Sequence, residues 1–345
     1  MIAKSCFDII KIKKVAMMQR ECTTYDIAII GGGPAGISAA VESVLSGIES
    51  VVLFEKGENH SMTIRKYYKD NKRVDKDWRG QKIELHGNVF FSDGTKESTI
   101  DLFDRLLDEH AIEAKFNHEI EYIRENEALE DPFEIKTTNG ATFFATNVII
   151  AIGNMGKPNK PAYKIPPSIK SLVGHNLEHC SQDENVLVVG GGDSAVEYAY
   201  YLADSNRVTL NYRKNEFSRV NEQNMQYLYQ YVEDNKIHLK TGIDIEALES
   251  KAGKAMVHYS DGWKIKYDKI VYALGGVAPK DFLNKCGVQT NEDGFAIIDA
   301  NYQSPTKGLY VAGDLAAKIG GSIAASLNHS YKILEHIKKE RTIQK

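Results

Sequence analysis

Two short apolar runs in this chain are each followed at once by clustered glycines. Residues 25–30 read Tyr-Asp-Ile-Ala-Ile-Ile and residues 186–189 read Val-Leu-Val-Val. Both runs are nearly continuous rather than alternating, which is typical of a strand buried on both faces of a parallel sheet. The residues after each glycine cluster, Ile-Ser-Ala-Ala at 37–40 and Val-Glu-Tyr-Ala at 196–199, favour a helix. Each region therefore predicts a strand, a tight turn and a helix.

The two glycine clusters have the spacing of dinucleotide-binding turns. They read Gly31-Gly32-Gly33-Pro34-Ala35-Gly36 and Gly190-Gly191-Gly192-Asp193-Ser194-Ala195. In such a turn the glycines let the backbone approach a pyrophosphate, which then lies on N–H groups at the helix N-terminus. One such motif is weak evidence, but two in the same strand–turn–helix context are strong evidence. The chain is therefore predicted to bind two dinucleotides, which indicates a flavin reduced by a nicotinamide.

The residues that come after the next strand of each half distinguish the two sites. The strand at 50–54 leads to Glu55, whose carboxylate can bind both ribose hydroxyls and repels a 2′-phosphate, so FAD and NAD fit and NADP does not. The strand at 207–211 instead runs into Tyr212-Arg213-Lys214, with Arg219 close behind, and cations there suit a 2′-phosphate. We therefore predict NADPH at the second site; the alternative is a solvated basic loop.

The two halves repeat one plan. A hairpin around Asn139-Gly140, the pair typical of a type I′ turn, leads to an apolar strand at 148–153, and a hairpin around Asp261-Gly262 leads to a strand at 270–275. Each half thus predicts a Rossmann-like unit with an inserted antiparallel meander. The predicted fold class is α/β, with two three-layer ββα dinucleotide-binding domains, the second inserted into the first.

Glycine- and proline-rich linkers set the expected domain boundaries. They lie at 156–161 and 275–279, and a further strand-like run comes later at 308–314. The expected domains are an FAD-binding domain at 24–155 and 280–345, an NADPH-binding domain at 158–277, and a poorly ordered extension at 1–23.

Composition narrows the function classes. The 345 residues carry a net charge of −4, which gives no support for nucleic-acid binding. No run of 18 apolar residues occurs, so no membrane span is expected. The four cysteines, Cys6, Cys22, Cys180 and Cys286, lack a pairing spacing, which favours a reducing, cytoplasmic location. No metal site is predicted.

From residue 24 to about residue 340, the order of these motifs resembles the thioredoxin-reductase-like branch of the pyridine nucleotide–disulfide oxidoreductases. The resemblance implies that Asp314, after the apolar run at 308–312, contacts the ribityl chain of FAD. It also implies a helix that starts beneath the flavin at Ser322 and Ile323, where it would stabilise negative charge on the reduced ring. The expected FAD-binding residues are Gly31, Gly33, Pro34, Ala35, Gly36, Glu55, Lys56, Gly153, Gly313, Asp314, Ser322 and Ile323. The expected NADPH-binding residues are Gly190, Gly192, Asp193, Ser194, Ala195, Tyr212, Arg213, Lys214 and Arg219.

The chain departs from its disulfide-reducing relatives in its cysteines. Thioredoxin reductases carry a Cys-x-x-Cys shortly before the second turn, where this chain has only Cys180. Glutathione-reductase relatives carry a dithiol after the first ribose-reading strand, and residues 56–130 contain no cysteine. Bacillithiol-disulfide-reductase-like relatives have a cysteine at the position of Ala35. Since a dithiol relay needs two thiols within bonding reach, electrons are expected to leave the flavin directly.

Direct transfer is typical of ferredoxin/flavodoxin–NADP reductases of thioredoxin-reductase type and of flavodoxin:quinone reductases. The resemblance therefore implies a homodimeric, FAD-dependent NADPH oxidoreductase whose acceptor is flavodoxin or a quinone. No side chain is expected to act as a catalytic acid or base, because the cofactor supplies the chemistry. The alternatives are a thioredoxin or low-molecular-weight disulfide reductase, a flavin monooxygenase, and a non-catalytic sensor that binds FAD and NADPH.

A basic segment from Arg65 to Lys82 is a candidate docking surface for the acceptor. It holds eight Lys and Arg residues against three Asp, with Tyr67, Tyr68 and Trp78 between them. In the family this segment passes beside the flavin, so one of its aromatic rings is a candidate to stack on the isoalloxazine. A basic aromatic rim would attract an acidic carrier; the alternative is an ordinary solvated loop.

Overall fold

The computed structural model describes residues 24–77, 82–126, 133–153, 158–177, 180–276, 279–292, 294–317 and 321–343. These residues fall into two compact units, the first within 1–154 and 278–345 and the second within 155–277. The extension predicted at 1–23 lies outside the described residues.

Both units contain strands and helices. The strands of the first unit are β1 (Thr24–Ile30), β2 (Val51–Phe54), β3 (Arg73–Val74), β4 (Gly94–Thr95), β5 (Glu113–Lys115), β6 (Ile120–Glu125), β7 (Phe133–Thr137), β8 (Thr142–Ile150) and β17 (Leu309–Val311). Those of the second are β9 (Val173–Gly174), β10 (Asn185–Val189), β11 (Arg207–Tyr212), β12 (Ile237–Thr241), β13 (Ile245–Lys251), β14 (Lys254–Tyr259), β15 (Lys264–Tyr267) and β16 (Lys269–Tyr272). The helices are α1 (Pro34–Leu45), α2 (Met62–Tyr67), α3 (Lys96–Glu109), α4 (Asp193–Ala203), α5 (Glu222–Glu233), α6 (Lys280–Lys285) and α7 (Ile323–Ile343), and short 3₁₀ helices lie at Pro167–Leu172 and Gly313–Leu315.

The first sheet has the order β5-β2-β1-β8-β7-β6, and β17 also pairs with β8. Strands β5, β2, β1, β8 and β17 are parallel, whereas β6, β7 and the first half of β8 form an antiparallel meander. The prediction of a separate strand at 148–153 is therefore wrong in one respect. Its residues up to Ile150 continue the second strand of the hairpin without a break, and the resulting strand β8 pairs with β7 through its first half and with β17 through its second.

The hairpin between β7 and β8 does not contain a type I′ turn. Such a turn needs positive φ at both central residues, but Asn139 keeps a negative φ and only Gly140 is positive, at +93°. The N–H of Gly140 donates to the carbonyl of Thr137 at 3.0 Å. The Asn139 side chain accepts from the Thr137 hydroxyl at 2.6 Å, which stabilises this longer turn.

The second unit repeats the plan with one difference. Its parallel sheet has the order β12-β11-β10-β16-β9, and β13, β14 and β15 form a separate antiparallel sheet. Asp268 separates β15 from β16: its N–H donates to the Asn185 carbonyl and its carboxylate accepts from the Asn185 N–H, at 2.8 and 3.0 Å.

The central strand of each parallel sheet is buried on both faces. Ile27 and Ile29 pack into one hydrophobic cluster of the first unit, and Ala28 and Ile30 pack into the other. In β10, Val188 and Leu187 likewise lie in different clusters. The predicted α/β class, with a Rossmann-like parallel sheet in each unit, is confirmed. Within the part of the chain that the structure describes, no helix has the length and apolar character needed to cross a membrane.

Candidate dinucleotide sites

The first glycine turn lies at the carboxyl end of β1, where two glycines allow close packing and one leaves open space. Gly31 has φ +112°, and a Cβ there would lie 2.6 Å from the Ala151 carbonyl oxygen. A Cβ on Gly36 would overlap the Gly31 carbonyl. At Gly33 the nearest atom would be 4.0 Å away, and no side chain caps α1. The first N–H groups of α1 therefore face a space that fits an anion.

Glu55 is fixed against this turn by two backbone hydrogen bonds. Its Oε2 accepts from the N–H of Gly32 and its Oε1 from the N–H of Gly57, both at 2.7 Å, and the residue is only 9% exposed. Each carboxylate oxygen keeps a lone pair for a further donor. The geometry thus fits a carboxylate that is oriented in advance for two ribose hydroxyls.

The glycines of the second turn have the same two roles as those of the first: one allows close packing and another leaves open space. A Cβ on Gly190 would overlap the Ala273 carbonyl, whereas a Cβ on Gly192 would meet no atom within 4 Å. No side chain caps α4, so its N-terminus also faces open space. Gly191 differs from Gly32 in its neighbour, since a Cβ on Gly191 would overlap the ring of Tyr212.

The strand register makes Tyr212 the counterpart of Glu55. In each unit the N–H of the first glycine donates to the carbonyl of the residue just before this position, at 2.7 Å in the first unit and 3.0 Å in the second. The position that corresponds to Glu55 in the second unit therefore holds a buried aromatic ring and no acid. Arg213 and Lys214 come directly after it and are exposed.

The structure brings Arg219 back to the second turn. Its backbone forms a parallel bridge with Gly192, six residues after Arg213 in the chain. Phe217 stacks on Tyr212, with ring centroids 5.1 Å apart and planes at 27°. The loop at 213–220 therefore folds against the N-terminus of α4, so that its three cations belong to one region of the unit.

Asp193, an expected NADPH ligand, has its carboxylate engaged within the protein. Its Oδ1 accepts from the Asn221 N–H at 2.9 Å, the Asn221 side-chain amide at 2.8 Å and the Asn224 side-chain amide at 2.9 Å. Ser194 is exposed and Ala195 is buried. The sequence did not indicate these partners, because they lie 28 and 31 positions away.

Asp314 lies where β17 ends, in a setting that fits hydroxyl donors. Gly313 has φ +73°, and burial raises the pKa of the Asp314 carboxyl group. Among the residues that the structure describes, none donates a hydrogen bond to this carboxylate. Helix α7 begins at Ile323, and the Ser322 hydroxyl accepts from the Ala325 N–H at 3.1 Å. A half-buried carboxylate near the start of α7, with no donor among the described residues, fits a ribityl contact.

A polar cluster beside the first turn was not predicted. His60 is 1% exposed, and its Nε2 lies 2.7 Å from an Asp104 oxygen while its Nδ1 lies 3.0 Å from the Ser61 hydroxyl. The Ser61 N–H donates to the Gly32 carbonyl at 2.7 Å. Burial lowers the pKa of His60, although Asp104 acts in the opposite direction. Nothing in the spacing pointed to it, because His60 and Asp104 are 44 positions apart.

The described cysteines do not form a dithiol. Cys180 belongs to the second unit and Cys286 to the first. Burial raises the pKa of Cys180 to about 11 and that of Cys286 to about 12, which disfavours the nucleophilic thiolate. Cys6 and Cys22 lie outside the described residues.

More of the positive charge in the basic segment from Arg65 to Lys82 is paired with carboxylates than the sequence indicates. Among its described cations, Arg65 contacts Asp104, Arg73 contacts Asp75, and Lys76 contacts Asp77. Lys72 lies 4.1 Å from the centroid of the Tyr68 ring. Trp78 and Arg79 lie outside the described residues. Lys66 and Lys82 are exposed, so part of the predicted positive surface remains.

Comparisons with known proteins agree with this geometry. The sequence profile of the pyridine nucleotide-disulphide oxidoreductases matches residues 28–313. The chain is 23% identical to a ferredoxin–NADP reductase of Malacoplasma penetrans over 86% of this chain and 90% of that protein. It is 26% identical to a thioredoxin reductase of Helicobacter pylori, over 84% and 90%. It also resembles the solved structure of a bacillithiol disulfide reductase from Bacillus cereus, with a TM-score of 0.77 and 21% identity over 92% of this chain and 100% of that one.

The match covers most of the chain and includes the whole inserted unit. FAD and NADPH, expected from the two glycine turns, are the cofactors of this group of reductases. The chain therefore belongs to the pyridine nucleotide-disulphide oxidoreductase family and is an oxidoreductase with a thioredoxin-reductase-like fold.

Proposed function

We propose that the protein passes electrons from NADPH through FAD directly to an acceptor such as flavodoxin or a quinone, without a redox dithiol. The observation that carries the proposal is the contrast at the two ribose positions, Glu55 in the first unit and Tyr212 followed by two cations in the second. One turn suits an unphosphorylated ribose and the other suits a 2′-phosphate.

The first unit is the proposed FAD domain. The open space at Gly33 and the uncapped N-terminus of α1 support a pyrophosphate contact there, through the residues from Gly33 to Gly36. Glu55 would bind the adenosine ribose, and Asp314 would bind the ribityl chain. When bound, FAD supplies the electron-transfer chemistry; these residues bind and orient it.

The second unit is the proposed NADPH domain. The uncapped N-terminus of α4 beside Gly192 supports a second pyrophosphate contact, and Arg213, Lys214 and Arg219 would surround the 2′-phosphate. Guanidinium and ammonium groups form charge-assisted hydrogen bonds with phosphate. Tyr212 leaves this position without the negative charge that would repel it.

The state of the cysteines supports direct transfer to the acceptor. Cys180 and Cys286 are in different units with raised pKa values, and the position that carries a cysteine in bacillithiol-disulfide-reductase-like relatives is the buried methyl group of Ala35. Ferredoxin–NADP reductases among the relatives favour a protein electron carrier as the acceptor. An acidic carrier would meet the exposed Lys66 and Lys82. A homodimer and a cytoplasmic location stay predictions.

Anaerobic reduction tests the proposal. The purified, FAD-loaded protein is mixed with NADPH and then with flavodoxin, ferredoxin, a quinone, thioredoxin or an aromatic disulfide, and the flavin absorbance is followed. We expect bleaching by NADPH and reoxidation by a carrier protein or quinone, in wild type and in Cys180→Ser alike. Fast reoxidation by thioredoxin alone would favour the disulfide-reductase alternative. Failure of NADPH to bleach the flavin would favour the sensor.

A further inference from the structure

The first residue of α4 is an acid that lies close to the proposed pyrophosphate site. In the first unit the helix beneath the glycine turn begins with Pro34, which is neutral. In the second unit it begins with Asp193. A carboxylate in the first turn normally stabilises a helix, but here the same N-terminus is the proposed seat of a pyrophosphate, which a negative charge would repel.

The carboxylate is engaged by hydrogen bonds from residues at the start of the next helix. A single oxygen of Asp193 receives three N–H donors, two from Asn221 and one from Asn224, at 2.8–2.9 Å. Asn221 also caps α5, because its side-chain oxygen accepts from the Asn224 N–H at 2.8 Å. These three residues, called here the Asp193 latch, join the N-terminus of α4 to the start of α5.

The latch closes one end of the loop that carries the cations. At the other end, the Gly242 N–H donates to the carbonyls of Tyr212 and Lys214, both at 3.0 Å. In the middle, the backbone of Arg219 bridges to Gly192. Asn221 comes two residues after Arg219, so the latch is the nearest side-chain anchor after that cation.

We infer that the Asp193 latch is a determinant of coenzyme choice: it holds the loop at 213–220 in place so that Arg213, Lys214 and Arg219 meet a 2′-phosphate together. This inference rests on the proposed NADPH site and extends it to positioning residues that do not themselves reach the phosphate. A loop ordered before binding loses less conformational freedom when the ligand arrives. A ligand without the phosphate uses the glycine turn alone and gains little from the latch.

The test compares two fragments, 2′,5′-ADP and 5′-AMP, by calorimetry on the FAD-loaded protein. In Asn224→Ala, we expect binding of 2′,5′-ADP to weaken about tenfold and that of 5′-AMP to change less than about twofold, because only the first needs the preorganised loop. Asp193→Ala also removes the negative charge at the helix N-terminus, so its expected result is the same tenfold fall in the ratio of the two affinities. Asp193→Asn keeps an acceptor oxygen and is expected to keep most of the preference. Asn206→Ala is the matched control, since Asn206 makes comparable hydrogen bonds at the opposite end of α4.

The possible results distinguish failure of the latch from failure of the NADPH assignment. An unchanged ratio of the two affinities in Asn224→Ala or Asp193→Ala, in a variant that retains FAD and its melting temperature, would overturn the latch. Should Asp193→Ala fail to fold, Asn224→Ala decides alone, since it removes one donor to Asp193, together with a 3.3 Å hydrogen bond to Glu197, and leaves the cap of α5 in place. If the wild type shows no preference for 2′,5′-ADP over 5′-AMP, the NADPH assignment itself fails, whatever the variants do.

Discussion

A carboxylate, that of Glu55, contacts the first glycine turn, whereas an aromatic ring, that of Tyr212, contacts the second. Glu55 binds two backbone N–H groups of its own unit, so its charge is fixed at one point. Tyr212 instead fills the same position with a ring that packs on Phe217 and against Gly191. The backbones of the two turns are alike in their close contacts and in their open third glycine.

The comparison supports the proposal that coenzyme choice depends on these two positions and the loops after them. The turn and the uncapped helix are generic features that fit a pyrophosphate in both units. The residue at the end of the glycine turn's neighbouring strand differs between the units. The loop after it differs too: it contains His60 and Ser61 in the first unit and is cationic in the second. In the proposed function, the same fold would therefore recognise two adenosine groups with side chains of opposite charge.

The largest effect is expected from Glu55→Ala. The change leaves the N–H groups of Gly32 and Gly57 without their charged acceptor and removes the ribose ligand, and each hydrogen bond to a charged group contributes about 1.5–3 kcal/mol. We therefore expect FAD affinity to fall by about 100-fold or more. The measurement is the FAD retained after desalting and its dissociation constant by fluorescence. Glu58→Ala, at an exposed neighbouring residue, is the control. Wild-type retention of FAD by Glu55→Ala would refute the ribose assignment.

The next test places a methyl group in the open space of each turn. Gly33 and Gly192 have φ values of −88° and −121°, which alanine adopts freely, and neither Cβ would clash within the protein. We expect Gly33→Ala to weaken FAD binding and Gly192→Ala to weaken NADPH binding, each by about tenfold to 100-fold, with melting temperatures close to wild type. Gly174→Ala, where a Cβ would make an ordinary contact, is the control. A loss of FAD from Gly192→Ala would contradict the assignment of one dinucleotide to each unit.

A smaller effect on one coenzyme alone is expected from the double variant Arg213→Ala/Lys214→Ala. Removal of two charge-assisted contacts to the 2′-phosphate should raise the KM for NADPH about tenfold to 50-fold and leave that for NADH within about threefold. Arg207→Ala, at the opposite end of β11, is the control for lost charge. Steady-state kinetics with a small quinone acceptor measures both values. Equal effects on NADPH and NADH would remove the phosphate assignment.

Much of the fold was predictable because it depends on local patterns. The apolar runs of β1 and β10 predicted strands buried on both faces, and the glycine spacing predicted the turns and the helices after them. The partners of side chains were not predictable in the same way. Asp193 reads as a ligand in the sequence because it lies in a glycine motif, yet its carboxylate binds residues of the next helix. His60 gave no signal at all, since its partner Asp104 comes from α3.

The smallest expected effect concerns Asp314 in the FAD-free protein. Burial raises the pKa of this carboxyl group above its value in the unfolded chain, so the folded state favours the protonated form. Its contribution to stability is therefore fully present at acidic pH and is lost as the pH rises through the folded-state pKa. At pH 7 the charged carboxylate is half-buried without a donor among the described residues, and Asp314→Asn should remove this cost. We expect the melting temperature of the apoprotein to rise by about 2–4 °C at pH 7, the size that 1 kcal/mol produces in a domain of this size, and the gain to vanish toward pH 4. With FAD added, the order should reverse, because the carboxylate then has its hydroxyl donors. A lower melting temperature for the apo variant at pH 7 would show that Asp314 has a structural partner instead.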